Sequence, residues 1–150
     1  MNLLLDTNIL LSLIKDPSLQ LLTNIINPDE KRILISVVSV AEMKSIALQN
    51  NWGPRSLQSM DIILNKVSII EINQNLVNTY IEIDAYSQRR NPKYTNYSFA
   101  TPRNMGKNDL WIASTAALLG LKLVTTDNDF NHLHQVFIEV QNIKPEIFKI

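Results

Sequence analysis

The chain has 150 residues, 45% hydrophobic and 19% charged, with 14 basic and 14 acidic side chains that leave no formal net charge. That size and apolarity suit one globular domain with its own core, and the balanced charge argues against a surface that is basic overall. The absence of cysteine excludes disulfide frameworks, thiolate metal sites and cysteine nucleophiles, so any metal would have to sit on oxygen or imidazole.

Asn2 to Leu5 is a short apolar run ending at Asp6-Thr7-Asn8, which suits a buried strand followed by a turn. Ile9, Leu10, Leu13 and Ile14 then recur at helical spacing, and a second helix is expected over Leu19 to Ile26 until Asn27-Pro28-Asp29 breaks it. Ile33 to Val38 reads as a strand. Ser39 is expected to cap the next helix, which would put Glu42 in the third helical position and in the slot of a capping box, with Trp52-Gly53-Pro54 closing it. Ser56 to Asn65 reads as helix, Val67 to Ile72 as strand and Asn75 to Gln88 as helix. After a long irregular segment over 89–106, Asp109 to Leu119 is a helix stopped by Gly120; Leu121 to Thr125 and Val136 to Val140 are strands. Alternating strands and helices imply a parallel α/β sheet. No apolar run approaches the roughly 20 residues of a membrane span, and the N-terminal apolar stretch lacks a basic flank, so a soluble, cytoplasmic protein is expected.

Charge is unevenly spread. Between Ala85 and Asn108 lie Arg89, Arg90, Lys93, Arg103 and Lys107 with no acid, leaving the remainder net negative by five. Tyr86, Tyr94, Tyr97 and Phe99 are interleaved with these cations, a composition that can grip phosphates and stack bases of a single strand. The plainer reading is a solvated loop whose aromatics tuck back onto the core.

In an open parallel sheet, reactive groups gather beyond the carboxyl ends of the strands. Asp6, Glu42, Asp109 and Asp127 occupy such places. Each alone could be a turn, cap or helix-start residue. Together in one crevice they would repel one another and raise their own pKa values unless a cation neutralised them. Oxygen-only ligation suits Mg2+ or Mn2+ and disfavours zinc. His132 and His134 read as exposed turn residues. There is no G-x-S-x-G elbow and no Walker loop, and the three glycines cannot build a phosphate cradle.

Four motifs now stand in order: Leu3-Leu4-Leu5-Asp6-Thr7-Asn8, Ser36-Val37-Val38-Ser39-Val40-Ala41-Glu42, Gly106-Lys107-Asn108-Asp109-Leu110-Trp111 and Leu123-Val124-Thr125-Thr126-Asp127-Asn128-Asp129-Phe130. This series resembles the PIN domain over nearly the whole chain, most closely the VapC-type toxins of bacterial toxin–antitoxin pairs. The resemblance implies a three-layer α/β/α sandwich around a small, mainly parallel sheet. It implies an endoribonuclease that cuts single-stranded RNA or RNA loops by two-metal-type phosphodiester hydrolysis with Mg2+ or Mn2+. By the same likeness Asp6, Glu42, Asp109 and Asp127 would be catalytic and metal-binding, with Thr7, Asn108, Thr126 and Asp129 in support. The resemblance also implies an inhibitory antitoxin and a homodimer. Leu11, Leu22, Ile26, Leu48 and Trp52 could serve either a core or a dimer face, of which core is expected. The extended 89–106 segment and Thr126, where the family often has a basic or amide side chain, depart from the pattern. Two rivals are a catalytically silent PIN-like RNA-binding or scaffold module, and a receiver or haloacid-dehalogenase-like domain. The latter is disfavoured by Asn8, where a phosphatase of that kind needs a second acid.

Overall fold

The computed structural model describes residues 1–148. Five strands, β1 (Leu3–Leu5), β2 (Ile33–Ser36), β3 (Ser68–Ile70), β4 (Lys122–Thr125) and β5 (Glu139–Asn142), form one sheet in the order β3-β2-β1-β4-β5. Every pairing is parallel. The helices are α1 (Thr7–Ile14), α2 (Val37–Gln49), α3 (Pro54–Lys66), α4 (Val77–Ser87) and α5 (Lys107–Leu119).

The three central strands are short and apolar because both faces are covered, the arrangement in which strands carry continuous rather than alternating hydrophobicity. Period-two alternation sorts their side chains. Leu4, Leu34 and Leu123 pack with Ile83, Leu110, Ile112 and Phe130, contributed mainly by α4 and α5. Leu3, Leu5, Ile33, Ile35 and Val124 pack the other way, with Ile9, Leu10, Met43, Met60 and Ile63 of α1, α2 and α3. The result is the expected three-layer sandwich. Its strand order reverses direction between β1 and β4, and that switch point leaves a crevice beyond their carboxyl ends.

Several boundaries differ from the sequence expectation for local reasons. The helix expected over Leu19 to Ile26 shrinks to one π-helical turn, Leu22–Ile26. Buried Asp16 accepts from the Leu21 amide at 2.8 Å and the Ser18 hydroxyl at 2.6 Å, and Leu19 takes φ 59°, so a tight turn uses up the residues before it. The second strand stops at Ser36 because that serine caps α2, its Oγ accepting from the Val38 amide at 3.0 Å. Ser39 therefore lies inside the helix, fully buried, and Glu42 stands a turn beyond any capping-box position. The last strand begins at Glu139, since Gln135 takes φ 60° and its amide closes a turn on the Ile138 carbonyl. Of the residues weighed as core or dimer face, Ile26 is buried and Leu11, Leu22 and Trp52 pack against the core, whereas Leu48 is 80% exposed.

Gly120 ends α5 with φ 64°, its amide donating back to the Ala116 carbonyl, and the chain passes directly into Leu121 and β4. A Cβ there would meet no neighbour, so the cost of Gly120→Ala is the strained left-handed backbone alone. Denaturant unfolding of G120A is expected to lose about 1 kcal/mol with an unchanged m-value.

Candidate active site

Asp6 is the first residue past β1 and the N-cap of α1; its own amide donates to Val124 of β4 at 3.0 Å, which fixes it at the switch point. Its carboxylate is 5% exposed and fully engaged. Oδ1 accepts from the Thr7 amide at 2.8 Å, and Oδ2 accepts from the Thr125 hydroxyl at 2.7 Å. Thr125 Oγ1 in turn accepts from the Asp127 amide at 3.0 Å, so one hydroxyl aligns acids from two different strands. The side chain that does this is Thr125 rather than Thr126. Alternation along β4 turns Thr125 into the fully buried layer, while Thr126 makes no side-chain hydrogen bond among the described residues.

Thr7 Oγ1 donates to Glu42 Oε1 at 2.8 Å and lies 3.0 Å from Ser39 Oγ. Glu42 thus reaches across from α2 to the first residue of α1 and leaves its second oxygen without a protein partner among the described residues. Asp109, in the first turn of α5, enters from the opposite layer. One carboxylate oxygen from each of Asp109, Asp127 and Asp129 lies within 4.8 Å of the others. Asp127 Oδ1 accepts from the Asp129 amide at 2.9 Å, and the Asn142 amide group donates to the Asp127 carbonyl at 2.9 Å, fixing this turn against β5. Asn108 is exposed and makes no side-chain hydrogen bond among the described residues.

The electrostatics record this crowding. Burial raises the Asp6 carboxyl above its ordinary range, with Asp127 and Glu42 adding to the effect and the Thr125 and Thr7 hydrogen bonds opposing it. Asp109 is pushed up to about 7, first by burial and then by the negative charges of Asp6, Asp127, Asp129 and Glu42. The donor set is all oxygen, the kind that hard divalent cations such as Mg2+ or Mn2+ take, and a cation there would offset the mutual repulsion of the acids.

The basic segment is better ordered than its composition implied. Tyr86 is buried at the centre of an aromatic cluster, with Tyr94, Tyr97, Phe99 and Phe137 ring centroids 4.8, 5.2, 5.5 and 5.3 Å away. The interleaved aromatics therefore pin the segment to the core and are not presented for base stacking. Lys93 pairs with Glu82, and the Arg89 guanidinium sits 5.2 Å from the Tyr97 ring centroid while donating to the Ala100 carbonyl. Arg90, Arg103 and Lys107 have no ion-pair partner among the described residues, and Arg103 shares a surface cleft with Asp129. His132 is 9% exposed, contrary to the expected surface position. Its Nε2 lies 2.8 Å from the Ser87 hydroxyl, and burial, with help from Arg103, pushes the ring down to about 4.

The family model described as PIN domain matches residues 3–135 of this chain. The chain belongs to the PIN domain family. Among curated relatives of this PIN domain, Ribonuclease VapC1 from two strains of Haemophilus influenzae is 27% identical over 129 residues, spanning 81% of this chain and 84% of that protein. Its fold is shared with the Rickettsia felis VapBC2 complex bound to a promoter DNA fragment, at TM-score 0.73 and 23% identity over 95% of this chain and 98% of that one. It is shared too with VapBC-1 from nontypeable Haemophilus influenzae, at TM-score 0.69 and 22% identity over 95% and 98%.

The raised Asp109 pKa carries a sign that can be tested. A folded carboxyl that holds its proton more tightly than the unfolded chain does contributes stability below its unfolded pKa and loses it as pH rises through the folded value. In chelator, the wild-type melting temperature is expected to fall between about pH 4 and about pH 7. Asp109→Asn should flatten that decline and melt higher than wild type at pH 7, while added Mn2+ should restore the wild type alone. Parallel melting profiles for the two proteins would remove Asp109 as the strained group.

Proposed function

We propose that this PIN domain is an Mg2+- or Mn2+-dependent endoribonuclease that hydrolyses single-stranded RNA or RNA loops, and that it is the cytoplasmic toxin of a toxin–antitoxin pair. The observation that carries the reading is the convergence of Asp6, Glu42, Asp109, Asp127 and Asp129 at the switch point, with an Asp109 carboxyl that burial and then the neighbouring acids push up to about 7. The naming of the Haemophilus influenzae relative as a ribonuclease supports it.

In this reading Asp6 and Asp109 are the principal metal ligands and Asp127 a second or water-mediated one, with Asp129 beside it. A bound divalent ion supplies Lewis-acid polarisation of the scissile phosphate and lowers the pKa of an attacking water. Asp6 keeps its ligand geometry because Thr7 N and Thr125 Oγ1 hold both of its oxygens in place. Glu42 Oε1 is occupied by the Thr7 hydroxyl, so Oε2 is the atom available to a ligand or to the proton of an incoming water. Arg90, Arg103 and Lys107 meet backbone phosphates, a contact that positions the strand without reading its sequence. Arg89 and Lys93, which the basic run also suggests, are committed to Tyr97, Ala100 and Glu82 and add field rather than direct grip. Asn108 and Thr126 would support the site through substrate or water.

The complexes named for the solved neighbours support an antitoxin as a partner, which would place a basic side chain among the carboxylates. Exposed Leu48 and Leu57 flank Trp52 in a shallow groove between α2 and α3, an apolar surface suited to a protein segment. A homodimer is the further expected association.

Purified protein should cleave single-stranded and stem–loop RNAs with Mg2+ or Mn2+ and not in excess chelator. Asp6→Asn and Asp109→Asn should each lower the rate at least about 100-fold, and Thr125→Val about tenfold through Asp6 alignment. Metal-independent retention of a single-stranded RNA by all of these variants, with no cleavage by wild type, would instead favour a catalytically silent binding module.

A further inference from the structure

Ser87, the last residue of α4, is fully buried, and its side chain and backbone together reach two segments beside the acidic crevice, the 103–105 stretch and the turn that carries His132. Its carbonyl accepts from the Arg103 amide at 2.7 Å, and its Oγ lies 3.4 Å from Met105 Sδ, so it holds the 103–105 stretch at both ends. The same Oγ lies 2.8 Å from His132 Nε2. The Ser87 hydroxyl has one proton: where Nε2 carries the imidazole N–H it donates to Ser87 Oγ and the hydroxyl turns to Met105 Sδ, and where Nε2 is bare it accepts the hydroxyl proton, so the pair is satisfied in either tautomer. Phe99 packs edge-on to the ring at a centroid distance of 5.2 Å, and Tyr86 stacks parallel to it at 6.4 Å.

The geometry is a tie with three ends. One end is the arm carrying Arg103, the second is the end of α4, and the third is the short 3-10 turn Asn128–Leu133 that carries Asp129 and is capped by Asp127. Across the tie, Arg103 and Asp129 face each other in one cleft. The Ser87 hydroxyl is fully buried and the His132 ring, 9% exposed, is packed against Tyr86 and Phe99, so the pair's contribution is distance and orientation.

We propose that Ser87 and His132 are positioning residues that set the spacing between the Arg103 arm and the Asp127–Asp129 edge, and thereby the grip on an RNA phosphate entering the crevice. The inference rests on the nuclease reading for its substrate class, but not on cleavage. A polar network of this kind is worth more than scattered surface contacts, because a partner left behind in a buried site has no water to turn to.

The test uses the whole chain and a fluorescein-labelled single-stranded RNA, with anisotropy read in chelator to isolate binding and cleavage read separately with Mn2+. Ser87→Ala and His132→Phe, the latter keeping a ring between Tyr86 and Phe99, should each weaken binding about tenfold. Arg103→Ala should weaken it by a similar factor, and the Ser87→Ala/Arg103→Ala double variant should be little worse than either single one, because both changes remove the same contact. His132→Gln, which retains an acceptor able to reach Ser87, should recover much of the loss. Variants that stay folded by circular dichroism yet bind as wild type does, or losses that simply add, would overturn the proposal while wild-type cleavage left the nuclease reading intact. Wild type that binds but never cleaves would remove the nuclease reading and leave the tie standing. If folded wild type binds no RNA, both fall. Should His132→Phe prove unfolded, Ser87→Ala and the double variant decide the matter.

Discussion

Carboxylates confined to a half-dry crevice repel one another, and they stay there only when the surrounding backbone leaves them nowhere else to go. Much of this structure is that confinement. Asp6 is trapped between strands by its amide bond to Val124 and by two hydrogen bonds to its carboxylate; Asp127 is trapped by Thr125, Asp129 and Asn142. Asp109 has no such attachments and is delivered by the start of α5, so its burial, and after that the repulsion of its neighbours, shows as a raised pKa.

The confinement works because the strands beneath it cannot shift. Leu4, Leu5, Ile35, Leu123 and Val124 are almost wholly buried, each against a helix layer, and slipping any strand by one residue would exchange its two faces and break both cores together. The order β3-β2-β1-β4-β5 puts β1 at the centre with β2 and β4 beside it, and Asp6 and Asp127 follow β1 and β4 closely, while Glu42 and Asp109 are brought in by α2 and α5. On the far side, the Tyr86 cluster does for the 89–106 segment what the sheet does for the strands. It converts a long polar stretch into a wall packed on the core, with Arg89 and Lys93 tied down by Tyr97, Ala100 and Glu82.

Periodicity revealed most of this framework. Buried runs at Leu3–Leu5, Ile33–Ser36 and Lys122–Thr125 separated by helical spacing could be read as a parallel α/β sheet, and acids just past such strands could be picked out by position alone. What stayed hidden depended on contacts distant in sequence. Whether Ser36 or Ser39 caps α2 turns on one hydroxyl reaching the Val38 amide, and both serines are good caps in isolation. The choice between Thr125 and Thr126 turns on which face of a four-residue strand points toward Asp6, an ambiguity that a two-residue threonine run cannot resolve. His132 looked exposed because its neighbours Asn131 and His134 are; only the 3-10 turn, which brings it round beneath Tyr86, buries it. The aromatics of the basic segment were legible as a cluster, but their destination was set by Tyr86 on a different element.

The wide separation of the acids along the chain has a temporal meaning. Asp6 and Asp127 lie at opposite ends of the sequence, joined by a Thr125 hydroxyl that bridges 119 positions. Closing so long a loop comes late in folding, after local helices have formed, because its entropy is recovered only when β4 inserts beside β1. Before β4 is made, Asp6 has neither its Thr125 partner nor Asp127 beside it, so the crevice can be assembled only once the ribosome has passed residue 127.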